Sequence, residues 1–279
     1  MGRIRSSGAA DGVLQQLAST AGGMNEKSSF VLPPHSESVR IGLAGSEMGN
    51  ILNQKNMKNR YGKKLREENR KILEISPASP TLRTIMALEF KKLFRTADRV
   101  LEIGCGEGDS AEPVLAYTSA NMELLDESPE MVRIAKQRLA RYKKRVTFIA
   151  EDGLSYLERS KPYDFILSSW TIHNFTWEDK VKLFRMIYRK LRTGGLFIMM
   201  DKVYPERDKK KLLDLQLARY RYLSKLGMRE IMSHERNDFS SRYRMDEQKT
   251  YSVLRRIGFH IRVIDRVERD VIMVAKKEL

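Results

Sequence analysis

The chain has 279 residues, 41% of them hydrophobic and 32% charged, with a formal net charge of +16. The basic balance points to an anionic partner (nucleic acid, a membrane surface or an acidic metabolite) or to a cationic surface that serves only solubility. The single cysteine, Cys105, excludes an intrachain disulfide and a cysteine-rich zinc site and fits a reducing, cytoplasmic setting, and no apolar run nears the roughly 18 residues of a membrane span.

Residues 1–60 differ from the rest. Met1 to Gly23 is rich in Gly, Ser and Ala, and Val13–Ala18 is too short and polar for a signal-peptide core. Gly2 and Ser6 match the N-myristoylation pattern, the Arg and Ser content resembles a transit peptide weakly, and an added leader ahead of Met24 is an equal alternative. Residues 28–60 are mostly polar, with Pro33-Pro34, and the whole 1–60 segment is expected to be a poorly ordered extension.

From 61 to 279 the patterning is that of a folded domain. Lys63–Ile75 reads as a charged helix, and Ser79-Pro80-Thr81 as the start of another whose stripe is Leu82, Ile85, Met86, Phe90 and Leu93. Short apolar strands then alternate with helices. Strands are expected at Arg99–Ile103, Met122–Leu125, Val146–Ala150, Phe165–Ser169 and Leu196–Asp201, and helices at Ser110–Tyr117, Ser128–Tyr142, Leu154–Arg159 and Trp177–Leu191. This rhythm implies βαβ units and a mostly parallel α/β sheet with helices on both faces. Phe259–Val267 and Val271–Lys276 break it, because a three-residue link forces an antiparallel hairpin.

Three glycines crowd the turn after the first strand, in the order Glu102-x-Gly104-x-Gly106-x-Gly108. Glycine there lets the chain bend sharply and lets backbone N–H groups approach a ligand at the carboxyl end of the sheet. The dinucleotide fingerprint G-x-G-x-x-G does not fit, since Asp109 stands at its last position. Asp126 follows about twenty residues later, where a ribose-binding acid belongs.

In this glycine order, in Leu124-Leu125-Asp126-Glu127-Ser128-Pro129-Glu130-Met131, in Glu151-Asp152-Gly153, in Tyr163–Ser169 and in Leu191-Arg192-Thr193-Gly194-Gly195, the sequence resembles the class I S-adenosylmethionine-dependent methyltransferases from about Thr81 to Lys277. Thr193 stands where that family usually has proline. The resemblance implies a Rossmann-like, doubly wound, seven-stranded sheet whose last strand is antiparallel, with S-adenosyl-L-methionine as cofactor. It also implies cofactor contacts from Glu102, Gly104, Cys105, Gly106, Gly108, Asp126, Glu127, Asp152, Gly153 and Ser169. Each acid has a simpler alternative: Glu102 as a cap for nearby amides, Asp126 as a helix N-cap, Asp152 as a strand terminator. Cys105 suits a small buried position better than a nucleophile.

On the acceptor side, His173 follows the fourth strand as a base, a cofactor contact or a structural histidine, and Asp201 ends the fifth beside Lys202. These two are the catalytic candidates. Residues 203–245 exceed a simple crossover and suggest a helical lid. There Arg219, Arg221 and Tyr222 are substrate candidates, or else part of a solvated face. The four histidines look scattered, so no metal site is expected. The expected acceptor is a small or anionic molecule. RNA is the alternative, through a methyltransferase or an enzyme like the carboxy-S-adenosylmethionine synthases, whose plan the chain loosely resembles, and a non-catalytic cofactor-binding module is a third reading.

Overall fold

A computed structural model of the chain describes residues 63–75, 78–96, 98–206 and 209–278. The expected N-terminal extension lies outside the described residues. Two helices, α1 (Lys63–Ile75) and α2 (Ala78–Leu93), precede the sheet. Then follow β1 (Val100–Ile103), α3 (Ala111–Tyr117), β2 (Met122–Asp126), α4 (Pro129–Arg138), β3 (Val146–Ala150), α5 (Gly153–Arg159), β4 (Tyr163–Ser169), α6 (Trp177–Lys190) and β5 (Leu191–Lys202). The remainder is α7 (Lys209–Lys225), α8 (Arg229–Phe239), α9 (Glu247–Ile257), β6 (Phe259–Val267) and β7 (Asp270–Lys277).

The seven strands form one sheet in the order β3-β2-β1-β4-β5-β7-β6. β7 alone runs antiparallel, slotted between β5 and β6. The α/β, Rossmann-like expectation holds, with the chain order reversing between β1 and β4.

Alternation along the strands sorts the core into two layers. Leu101, Ile103, Ile166, Phe197 and Met199 face one side, against Leu183 and Phe184 of α6 and Leu254 of α9. Val100, Leu124, Phe165, Leu167, Ile198 and Met200 face the other, against Met86 and Phe90 of α2 and Val114 of α3. A sheet apolar on both faces needs helices on both, which is why β1 and β4 read as nearly unbroken apolar runs.

The segment between β5 and α9 folds as α7 and α8. Leu223, Met228 and Ile231 pack with Leu65 and Ile72 of α1 in a smaller apolar cluster. Glu68 of α1 is buried and accepts the Ile231 amide at 2.9 Å, so a carboxylate stands at the N-terminus of α8, where the helix dipole favours it.

Candidate active site

A cavity of about 530 Å³ opens at the carboxyl ends of β1, β2, β4 and β5. That lies within the ordinary range for a small-molecule site, at the point where strand order reverses.

The three motif glycines are needed for three different reasons. A Cβ on Gly104 would fall 2.2 Å from Thr171, whose hydroxyl donates to the Gly104 carbonyl at 3.0 Å. A Cβ on Gly108 would press on Leu139 at 3.0 Å. A Cβ on Gly106, which lines the cavity, would meet nothing within 4 Å. All three have positive φ. Neighbouring side chains take the space at Gly104 and Gly108, whereas the space at Gly106 is open.

Asp126 ties β2 to this loop. Its two oxygens accept the Gly106 and Ser128 amides, each at 2.9 Å. Burial raises its pKa, partly offset by these two bonds. A carboxylate offers about four acceptor sites, so ribose hydroxyls could share it with the loop. Glu102 has no such support. It is 1% exposed, and neither carboxyl oxygen has a hydrogen-bond partner among the described residues. Burial, with Arg83 opposing and Asp109 and Asp126 adding, pushes its pKa up to about 8.

The sign follows from linkage. Between pH 4.5 and about 8 the folded chain keeps a proton on Glu102 that the unfolded chain has released, so stability falls as pH rises through that window. Glu102→Gln should remove that slope. In urea unfolding the wild type should lose, relative to the variant, up to about 1.4 kcal/mol for each pH unit there. Parallel pH profiles for the two chains would show that this carboxyl does not titrate so.

The other expected contacts are placed as follows. Glu127, Gly153 and Ser169 line the cavity. Asp152 lines it too, but its Oδ1 also caps α5 through the Ser155 amide at 2.9 Å. Cys105 is buried, with its thiol pKa raised by burial first and by the nearby Asp126 and Glu102 next. That makes it a packing residue rather than a nucleophile. Of the three α7 candidates, Arg219 reaches the cavity wall, whereas Arg221 and Tyr222 are exposed and do not line it. The helix periodicity explains this correction: Gln216, Arg219 and Leu223 share the inward face, and 221 and 222 are rotated off it.

The opposite wall holds a buried polar network. Asp201 is fully buried, and its Oδ1 lies 2.6 Å from His173 Nδ1 and accepts the Lys202 amide at 2.7 Å. Burial raises its pKa, but His173 and Lys202 outweigh that and hold it below the usual carboxylate range. Asp201 orients the His173 ring through Nδ1, and Nε2 on the other side of the ring faces Asp238 Oδ2 at 3.6 Å. Lys180, also fully buried, holds the same loop by donating to the His173, Phe175 and Tyr243 carbonyls. Trp170, at φ 45, turns the chain into this loop and donates Nε1–H to Asp270 at 2.9 Å. The sequence candidates His173 and Asp201 are thus one hydrogen-bonded pair.

Sequence reading missed α8, which supplies His234, Glu235 and Asp238. Lys202 Nζ lies 2.7 Å from Asp238 and 3.2 Å from Glu235, and Arg269, from the β6–β7 turn, bonds Glu235. Nor are the histidines all scattered: His173 and His234 meet edge to face with ring centroids 5.9 Å apart, beside Asp238. The i,i+4 spacing of His234 and Asp238 was the signal available in the sequence.

Residues 100–195 match the family model described as a methyltransferase domain. A stretch of 98 residues is 38% identical to a malonyl-[acyl-carrier protein] O-methyltransferase of Ilyobacter polytropus, covering 34% of this chain and 35% of that protein. A stretch of 143 residues is 27% identical to a carboxy-S-adenosyl-L-methionine synthase of Nautilia profundicola, covering 50% and 59%. The chain thus aligns with only part of each curated relative. Among solved structures, an O-methyltransferase family protein of Burkholderia thailandensis superposes with a TM-score of 0.55 at 13% identity, over 82% of this chain and 70% of that one. The YcgJ protein of Bacillus subtilis does so at 0.51 and 17%, over 70% and 98%. Residues 100–195 thus carry a methyltransferase domain, and the strand order and glycine turn place it on a Rossmann-like α/β sheet. No helix among the described residues is long and apolar enough to cross a membrane.

Proposed function

We propose that this domain transfers a methyl group to an oxygen atom of a small acceptor, with cofactor and acceptor sharing the one cavity. S-adenosylmethionine, when bound, supplies an activated methyl on its sulfonium. Asp126 would hold the ribose hydroxyls while it keeps the glycine loop closed. The loop amides and the space beside Gly106 would receive the body of the nucleoside, and Asp152 with Gly153 its base. Glu102 carries an unpartnered buried carboxyl in the same cavity, which would give up its proton when the cationic end of the cofactor binds beside it. α7 and α8 act as a lid that keeps water from the acceptor, an orientation task in which geometry supplies most of the rate.

One observation carries the proposal: the cavity that touches the glycine turn also touches His173, whose Nδ1 lies 2.6 Å from Asp201. A nitrogen lone pair set there suits an acceptor that must lose a proton, as a hydroxyl must. The relatives named O-methyltransferases are consistent with an oxygen acceptor.

Calorimetry with S-adenosylmethionine tests the cofactor half. Asp126→Ala should weaken binding by about 1.5–3 kcal/mol through loss of charge-assisted bonds. Unchanged affinity would remove Asp126 from the site. Mass-shift profiling of metabolites with the wild type and Asp201→Asn tests the acceptor half, and a methylated product formed equally by both would dismiss the His173–Asp201 pair.

A further inference from the structure

The buried wall beyond the glycine turn contains more than a base. Three potential ligand atoms, one each from His173, His234 and Asp238, lie within 4.8 Å of one another, and all three residues are buried. Asp238 Oδ2 stands 3.6 Å from His173 Nε2 and 3.5 Å from His234 Nε2. Both separations exceed the roughly 2.9 Å of a direct hydrogen bond. They approach the ~3.4 Å edge of a tetrahedron whose corners lie about 2.1 Å from a central ion.

From this geometry we propose that His173 Nε2, His234 Nε2 and Asp238 bind a divalent transition metal at the acceptor end of the cavity. Two imidazoles and one carboxylate form a set that suits zinc, iron, cobalt or manganese and leaves positions open.

The surrounding residues fit that role. Asp201 takes the Nδ1 hydrogen of His173, as outer carboxylates orient metal-binding histidines. Lys202 Nζ donates at 2.7 Å to the same Oδ2 of Asp238, so that oxygen would be shared between the ammonium and the metal. His234 and Asp238 sit one turn apart on α8 and so present to the same point. His173 and His234 line the cavity, which puts the open positions toward the acceptor. Three cations, Lys202, Arg219 and Arg269, offset three carboxylates, Asp201, Glu235 and Asp238, in this wall. A divalent ion would leave the wall positive, ready for an acceptor with one or two anionic or ionisable oxygens. Such an ion would also lower the pKa of a hydroxyl bound to it, a role that replaces His173 as the base, because a lone pair given to the metal cannot take a proton. This use of the site rests on the methyltransferase reading, but the metal binding itself does not.

The test uses the full chain, stripped with a chelator and titrated with Co²⁺ alone while visible absorption is followed. About one equivalent should bind with bands typical of low coordination number and be displaced by Zn²⁺. His234→Ala and Asp238→Asn should each weaken Co²⁺ binding by at least about 100-fold, and Asp201→Asn, which only positions His173, by about 10–100-fold. Circular dichroism checks that each variant folds; where one does not, His234→Gln takes its place. Zn²⁺ should also raise the thermal midpoint of the wild type. The proposal is overturned if the wild type binds no Co²⁺, or if the variants bind it as tightly as the wild type. Calorimetry with S-adenosylmethionine runs in parallel. Cofactor binding without Co²⁺ binding defeats the metal site alone, and the reverse defeats the methyltransferase reading alone.

Discussion

Gly106→Val should weaken S-adenosylmethionine binding by at least about 100-fold and leave the core folded. The loss corresponds to about 2.7 kcal/mol, and the steric block must supply it, since backbone strain weighs on the free and the bound chain alike. Gly106 has φ +52, a region that costs a β-branched residue about 1–3 kcal/mol. The new side chain would stand where nothing now lies within 4 Å, at the cavity wall. Adaptation of the loop to valine would shift the amide that Asp126 holds at 2.9 Å. Calorimetry measures the affinity and urea unfolding the fold. A variant that binds normally would mean that the nucleoside does not lie against this bend. Gly104→Val gives the contrast, because its side chain would collide with Thr171 and lower stability first.

Glu235→Ala should destabilise the folded chain by about 3–5 kcal/mol, the cost of stranding buried charge. Glu235 is 2% exposed and sits among Lys202, Arg219 and Arg269. Burial works against its ionised form, but Arg269, Lys202 and Arg219 outweigh burial and hold its pKa well below the usual range. Arg269, 5% exposed, would keep its hydrogen bonds to the neutral Tyr204 at 3.0 Å and Gln216 at 2.9 Å, with Asp270 as a nearby acid. Urea unfolding measures the loss, and a change under about 1 kcal/mol would show that water reaches this wall and replaces the carboxylate. Adding Arg269→Met to Glu235→Leu should recover much of the loss, since a buried ion pair removed whole often costs little.

The two halves of the site were not equally legible in the sequence. β1, β2 and β4 are buried on both faces, so their apolar runs, and the glycines that follow β1, mark the glycine-turn wall of the cavity plainly. β5 starts five residues earlier than its apolar run, at Leu191 rather than Leu196, because its ladder with β4 shifts register between Tyr163 and Phe165 around the Arg192–Gly195 turn. α8 gave no signal for a simple reason: its inward residues include His234, Glu235 and Asp238 beside Ile231. A helix whose buried face is polar shows no apolar stripe. His173 and Asp201 are 28 positions apart, and only the pairing of β4 with β5 brings them together. Arg221 and Tyr222 failed as candidates because composition cannot tell which side of α7 faces inward.

The β6–β7 hairpin carries a consequence for biosynthesis. Arg269 and Asp270 reach the cavity only from its turn, and β7 must slot between β5 and β6. On a ribosome, the motifs of residues 100–153 emerge more than a hundred codons before that turn. A nascent chain therefore carries the glycine-turn wall of its cavity long before the opposite wall can close, and a transcript broken upstream of codon 269 encodes a protein that lacks part of that second wall.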